Sequence, residues 1–150
     1  MKAWLKWLII IVVAGGVLYG AAVAYAEYSN GTNVNVTFRL GHNADGTMYL
    51  KCDQSATTAG VCADGDQATV TVHKRDRVTF NLVNDDGAGH THDFKLLGWQ
   101  YTWPPISPEM ELQSAKESWT FTAWAAGSYR IVCELPGHDT AGMHATFVVK

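Results

Sequence analysis

Beyond residue 26 the sequence lacks any stretch in which apolar residues recur every 3.6 positions, which excludes helical and α/β architectures for most of the chain. It also lacks an excess of positive charge. Eleven Lys+Arg stand against 14 Asp+Glu, a formal charge of −3, and without Lys2 and Lys6 the remainder carries −5. That balance argues against nucleic acid as a partner and is compatible with a cationic protein partner. Internal repeats and low-complexity tracts are absent, so a solenoid or a disordered tail is excluded as well. Proline is scarce: three of the four prolines crowd into residues 104–108, and the fourth, Pro136, stands alone near the C-terminus.

What is present begins with a run of 20 residues, Trp7 to Ala26, that carries no charge and is long enough to span a bilayer as a helix. Two readings fit it: an uncleaved membrane anchor, or a signal peptide cut after Ala24-Tyr25-Ala26. Lys2 and Lys6 on the short N-terminal side place the rest of the chain outside the cytoplasm, periplasmic or extracellular, in either case. Residues 27–33 form a polar linker, and residues 34–150 are long enough to bury roughly two-thirds of their unfolded surface in one core.

That domain reads as strands. Val34, Val36, Phe38 and Leu40 alternate with polar residues, "GHNADG" supplies a turn, and Thr47 to Cys52 returns. Val70 and Val72 lead through "KRDR" to Val78, Phe80 and Leu82. Asp93 to Trp99 forms a less regular strand. "QYTWPPISPEMELQSAKE", residues 100–117, has no strand or helix period and reads as a surface excursion. Trp119, Phe121 and Ala123 resume the alternation, Tyr129, Ile131 and Cys133 share one face of the next strand, and Ala145, Phe147 and Val149 close the set. Seven or eight short strands separated by turns predict an all-β Greek-key sandwich or barrel. The sequons at Asn30 and Asn35 are too short a motif to carry weight.

Cys52 and Cys62 stand ten positions apart in a polar, Gly-containing stretch. They fit a small disulfide ring in an oxidising compartment, two free thiols, or a second metal site with His42 or His73. Cys133 is left over, at the end of a strand on its core-facing side. The loop that follows it, "ELPGHDTAGM", brings His138 and Met143 in a Cys-x4-His-x4-Met spacing. Singly, each of these residues has a plain structural use: Cys as a small core hydrophobe, Met as filler, His as a surface residue. Jointly they have no packing rationale and compose a thiolate, imidazole and thioether donor set. Thiolate and thioether donors favour copper over magnesium or calcium, and zinc sites seldom take Met. The missing second imidazole comes from "NDDGAGHTHDF", where His92 is the preferred candidate and His90 the fallback. Glu134 and Asp139 read as solvated loop charges rather than as general acids or bases.

With those residues in view, residues 34–150 resemble the cupredoxins, the plastocyanin, azurin, rusticyanin and sulfocyanin superfamily. The resemblance rests on "VTVHKRDRVTFNLVN", "HDF", "AGSYRIVCELPGH" and "GM", and the loop spacing is most similar to that of rusticyanin and sulfocyanin. It implies one mononuclear type 1 copper held by His92, Cys133, His138 and Met143. It also implies a tie from Asp93, where many members have Asn, across to the cysteine loop. The function implied is single-electron transfer between respiratory redox partners of the cytochrome or terminal oxidase type, docking around His138 with Leu135, Pro136 and the "YTWPP" segment. The alternative is copper storage or delivery outside the cytoplasm. A dinuclear copper centre needs a second loop cysteine, and a copper oxidase or nitrite reductase needs further ligands that the chain does not display. Pro136, having no N–H, is expected to limit hydrogen bonding to the sulfur and so to raise the potential.

Overall fold

The computed structural model describes residues 31–64, 67–87, 89–99, 109–112 and 114–150. The anchor or signal segment (1–26), most of the linker, the Asn30 sequon and the "YTWPP" segment lie outside the described residues. Among the described residues there are ten strands and no helix. They are β1 (Asn33–His42), β2 (Met48–Cys52), β3 (Cys62–Ala63), β4 (Thr69–Val72), β5 (Arg77–Asn84), β6 (His92–Leu97), β7 (Glu109–Leu112), β8 (Lys116–Thr122), β9 (Gly127–Cys133) and β10 (His144–Val149).

The strands form two sheets, in the orders β2-β1-β5-β8 and β3-β4-β10-β9-β6-β7. β1 pairs with β5, and β4 with β10, in parallel; every other pairing is antiparallel. Alternation in the sequence explains the layering. Val78, Phe80 and Leu82 of β5 are buried in step, as are Ala145, Phe147 and Val149 of β10. Their apolar faces have only each other to cover them. Phe80 meets Phe38 and Phe121 of its own sheet at ring-centroid distances of 5.4 and 5.3 Å, and Phe147 of the opposite sheet edge-on at 5.5 Å. Gly98, at φ +83°, turns Trp99 off the end of β6 into the same core, 4.8 Å from Tyr129.

Two segments depart from the sequence expectations. Within the proline-containing excursion, Glu109–Leu112 forms β7, an edge strand whose Leu112 lies opposite His92. Four residues at a sheet edge are too few to show a period. β8 begins at Lys116 rather than near Trp119, and its outward residues are largely exposed, which masks its alternation.

Cys52 and Cys62 are joined in a disulfide. It links the end of β2 in one sheet to the start of β3 in the other, and the loop it closes covers β1. Thr37 N–H donates to Thr57 Oγ1 (3.0 Å), Thr37 Oγ1 donates to the Ala56 carbonyl (3.0 Å), and Thr58 N–H donates to the Asn35 carbonyl (2.8 Å). The insertion thus satisfies main-chain groups of β1 past the end of β2. Replacing both cysteines by alanine frees an eleven-residue ring and is expected to cost about 3 kcal/mol, read as a lower urea midpoint.

Candidate metal centre

β6 and β9 are neighbours, with Phe94 opposite Cys133, so the strand that starts at His92 runs beside the strand that ends at Cys133. Both side chains are about 1% exposed. The loop after Cys133 folds back because of its residue types. Leu135-Pro136-Gly137-His138 is a turn closed by His138 N–H to the Leu135 carbonyl (3.1 Å), with Pro fixing the first corner and Gly137 at φ +86° the second. Further bonds run from Ala141 N–H to the Gly137 carbonyl and from Gly142 N–H to that of Asp139 (2.9 and 3.1 Å). Met143 N–H donates to the His138 carbonyl (2.9 Å), and Cys133 N–H donates to the Met143 carbonyl (3.1 Å). Ten loop residues therefore return Met143, fully buried, to the main chain of Cys133.

The result is a trio of donors. His92 Nδ1 lies 3.9 Å and His138 Nδ1 3.5 Å from Cys133 Sγ, and the three candidate ligand atoms all fall within 4.8 Å of one another. Metal–nitrogen bonds of about 2.0 Å and a metal–sulfur bond of about 2.3 Å, spread at ~120°, put nitrogen and sulfur roughly 3.7 Å apart. An ion set among these atoms would need little movement of the protein, so the residues fit a metal that accepts imidazole and thiolate. His90, the fallback donor, is exposed and stands outside the trio. His92 Nε2, buried on the far side of its ring, has no hydrogen-bond partner among the described residues.

One expectation changes at the sulfur, and the tie expected from Asp93 is present. N–H groups of Leu135 and Asp93 reach the sulfur, so the missing N–H of Pro136 does not leave the thiolate without hydrogen bonds; and because an N–H donated to the thiolate favours Cu(I), a missing one lowers the potential, opposite to the expectation. The tie between the two donor segments includes a main-chain bond, Glu134 N–H to the Asp93 carbonyl (2.7 Å), which an Asn-to-Asp exchange leaves intact. The Asp93 charge is still felt: burial foremost pushes the Cys133 thiol up, and Asp93 adds to that, while the two N–H groups pull it down.

Burial holds His92 down at about 4, with His138 nearby contributing, and burial also lowers His138. At neutral pH the metal-free site is therefore two neutral imidazoles and a thiol, and metal binding must displace the thiol proton. Between roughly pH 6.5 and 4 the unfolded chain carries a proton on residue 92 that the folded chain refuses, so acidification in that window favours unfolding. The metal-free protein is expected to lose up to about 3 kcal/mol there. Urea titrations should show a steeper fall in stability with acidification once metal occupies the site, because the ion keeps His92 unprotonated and unfolding then also returns a proton to Cys133; a flatter pH dependence in the metal-loaded protein would contradict the assignment of His92 to it.

Charges near the loop are taken up elsewhere. Glu134 pairs with Lys95 (3.5 Å), and Asp139 with Arg130 (2.8 Å) and His144 (2.9 Å). Sequence reading did not connect His42 with this end of the sandwich, where its ring stands edge-on to His138 at 6.3 Å. Parity could have done so, because His42 continues the even-numbered, core-facing register of Val34 to Leu40 off the end of β1.

No family model matches the sequence, and no curated protein matches it. Solved structures do. A methionine-to-glutamine variant of rusticyanin superposes at TM-score 0.51 with 20% identity, over 81% of this chain and 80% of its own. Auracyanin A, a "blue" copper protein from Chloroflexus aurantiacus, gives 0.50 and 20%, over 79% and 99%. The chain has the cupredoxin fold. A copper nitrite reductase from Nitrosomonas europaea gives 0.52 and 21% over 79% of this chain, which spans only 42% of that enzyme. On the cupredoxin fold of this chain, the His92–Cys133–His138 trio lies where β6, β9 and the loop before β10 converge.

Proposed function

We propose that this protein is a single-electron carrier holding one type 1 copper ion through His92 Nδ1, His138 Nδ1, the Cys133 thiolate and the Met143 thioether. The observation that carries the reading is the trio of soft and borderline donors, already at metal-binding separations, with a buried Met143 main-chain-bonded to two of its members. The likeness to rusticyanin and auracyanin supports it through the shared fold. Copper supplies a one-electron change between Cu(I) and Cu(II).

The chain does the rest. Strand ends fix His92 and Cys133, and the hydrogen-bonded loop fixes His138 and Met143, so the donors keep their places in both oxidation states. Burial of His92, Cys133 and Met143 would keep water away from an ion held there. The N–H groups of Leu135 and Asp93 draw density from the thiolate and favour the reduced state, which raises the potential. No carboxylate of the loop is left for acid–base work, which supports a carrier over an enzyme.

Location and partners belong to the same reading. The disulfide and the apolar run at residues 7–26 support a domain outside the cytoplasm, tethered to the membrane or released from it. His138 is half-buried beside a partly exposed Leu135 and an exposed Pro136, an apolar rim at which a cytochrome or oxidase would dock. Leu135→Lys is expected to slow electron exchange with a redox protein at least tenfold while leaving the visible spectrum unchanged; an unaffected rate places docking elsewhere.

The function itself is tested by kinetics on the copper-loaded protein. A carrier passes electrons to and from a small haem protein through many cycles with no loss of copper to a Cu(I) chelator. A protein that gives up its copper to the chelator and exchanges electrons slowly is a store or a delivery protein.

A further inference from the structure

Beside the buried centre lies a second group of imidazoles that the electron-transfer reading does not use. His42, at the end of β1, has a side chain 35% exposed, and its Nδ1 lies 2.6 Å from Asp86 Oδ2. The other carboxylate oxygen of Asp86 accepts the His42 main-chain N–H at 3.2 Å. A carboxylate at Nδ1 sets the tautomer, leaving the Nε2 lone pair free to bind an ion. His90, exposed, has its ring 6.1 Å from that of His42.

The backbone around the pair is held in place. Asn84, buried at the end of β5, donates through Nδ2 to the carbonyls of Gly87 (3.1 Å) and His90 (2.7 Å), and its Oδ1 accepts the Asp86 N–H (3.0 Å). One buried amide thus fixes both the carboxylate that orients His42 and the main chain that carries His90.

Ring spacing indicates what the pair can do. Two imidazoles on one ion each place their ring centre about 3.2 Å from it, so separations of roughly 5 to 6.4 Å are reachable as the angle at the ion opens. His92 and His138, whose Nδ1 atoms face one sulfur, stand 5.3 Å apart, and His42 and His90 fall within the same range. We infer that His42 and His90, with Asp86 as the orienting carboxylate, form a second, exposed site for a divalent transition-metal ion of the zinc or copper(II) type. Two imidazoles suit such ions and not magnesium or calcium, and water completes the coordination.

The site adjoins the centre. His42 is edge-on to His138 at 6.3 Å, so a cation there raises the potential of the buried copper, since added positive charge favours Cu(I) over Cu(II). By linkage, reduction of the copper tightens binding of the second ion. This coupling rests on the copper reading; occupancy of the exposed site does not.

The experiment is calorimetric titration of Zn(II) into the full chain with its buried centre loaded. One equivalent is expected to bind. His42→Gln and His90→Gln should each weaken it at least tenfold, and Asp86→Asn roughly tenfold. His73→Gln, at an exposed histidine that likewise faces a carboxylate, should leave it unchanged. All four positions lie at turns or strand ends, and near-ultraviolet circular dichroism checks that each variant is folded. No zinc binding, or binding equally strong in His42→Gln and His90→Gln, overturns the site. Zinc binding abolished by Cys133→Ser but not by His42→Gln also overturns it, and separately shows that the buried centre takes zinc in place of copper.

Discussion

Phe80→Ala is expected to lower the unfolding free energy by about 3–5 kcal/mol, the largest effect of any single substitution considered. Phe80 is 2% exposed and sits where the two sheets meet, in ring contact with Phe38, Trp119, Phe121 and Phe147. Truncation removes both the burial of a large apolar side chain and the edge-on ring contacts. Those neighbours are anchored in three other strands, so the space left behind cannot readily collapse. A domain of this size is stabilised by roughly 5–15 kcal/mol, so the variant should unfold well below the parent's urea midpoint. A loss under ~1 kcal/mol would mean that the two sheets do not pack through this residue.

Gly142→Ala should have the largest effect on the centre itself. Gly142 adopts φ +111°, and a Cβ there would lie 2.7 Å from the main-chain carbonyl oxygen of Met48. That oxygen belongs to the backbone of β2 and cannot rotate away, and Met48 N–H is also bonded to the Ala141 carbonyl (3.0 Å). Strain and collision together are expected to cost about 2–4 kcal/mol. Because Met143 follows directly and is bonded to both Cys133 and His138, the collision is relieved by displacing the loop. The copper spectrum and potential should therefore change along with stability. Gly46→Ala gives the contrast: its φ is +82° but a Cβ there meets nothing within 4 Å, so it should show only the conformational cost of about 1 kcal/mol. Equal losses in the two variants would refute the steric argument.

The chain announces much of this arrangement in its residue order. Alternation from Val34 to Leu40, from Val78 to Leu82 and from Ala145 to Val149 is enforced by a two-sided core, so it shows the sheet faces directly. The Pro-Gly turn before His138 is equally legible, since it needs only the fixed φ of Pro136 and the positive φ of Gly137. Less legible are features that depend on tertiary neighbours. β3 has two residues and β7 four, and each is a strand only because a longer strand lies beside it. That the Asp93 N–H reaches the sulfur follows from how β6 approaches β9 and could not be read from the loop sequence, whereas Leu135 belongs to the loop itself. His42 lies 48 positions from His90 and 96 from His138, and only the topology that ends β1 beside the start of β6 and the end of β9 brings it there.

The visible spectrum of the Cu(II)-loaded protein, recorded beside Cys133→Ser, tests the central claim most directly. The account predicts an intense thiolate-to-copper charge-transfer band in the red, bleached by ascorbate and absent from the serine variant. A pale tetragonal spectrum that is indifferent to Cys133 would contradict it and leave the His92–Cys133–His138 trio without an electron-transfer role.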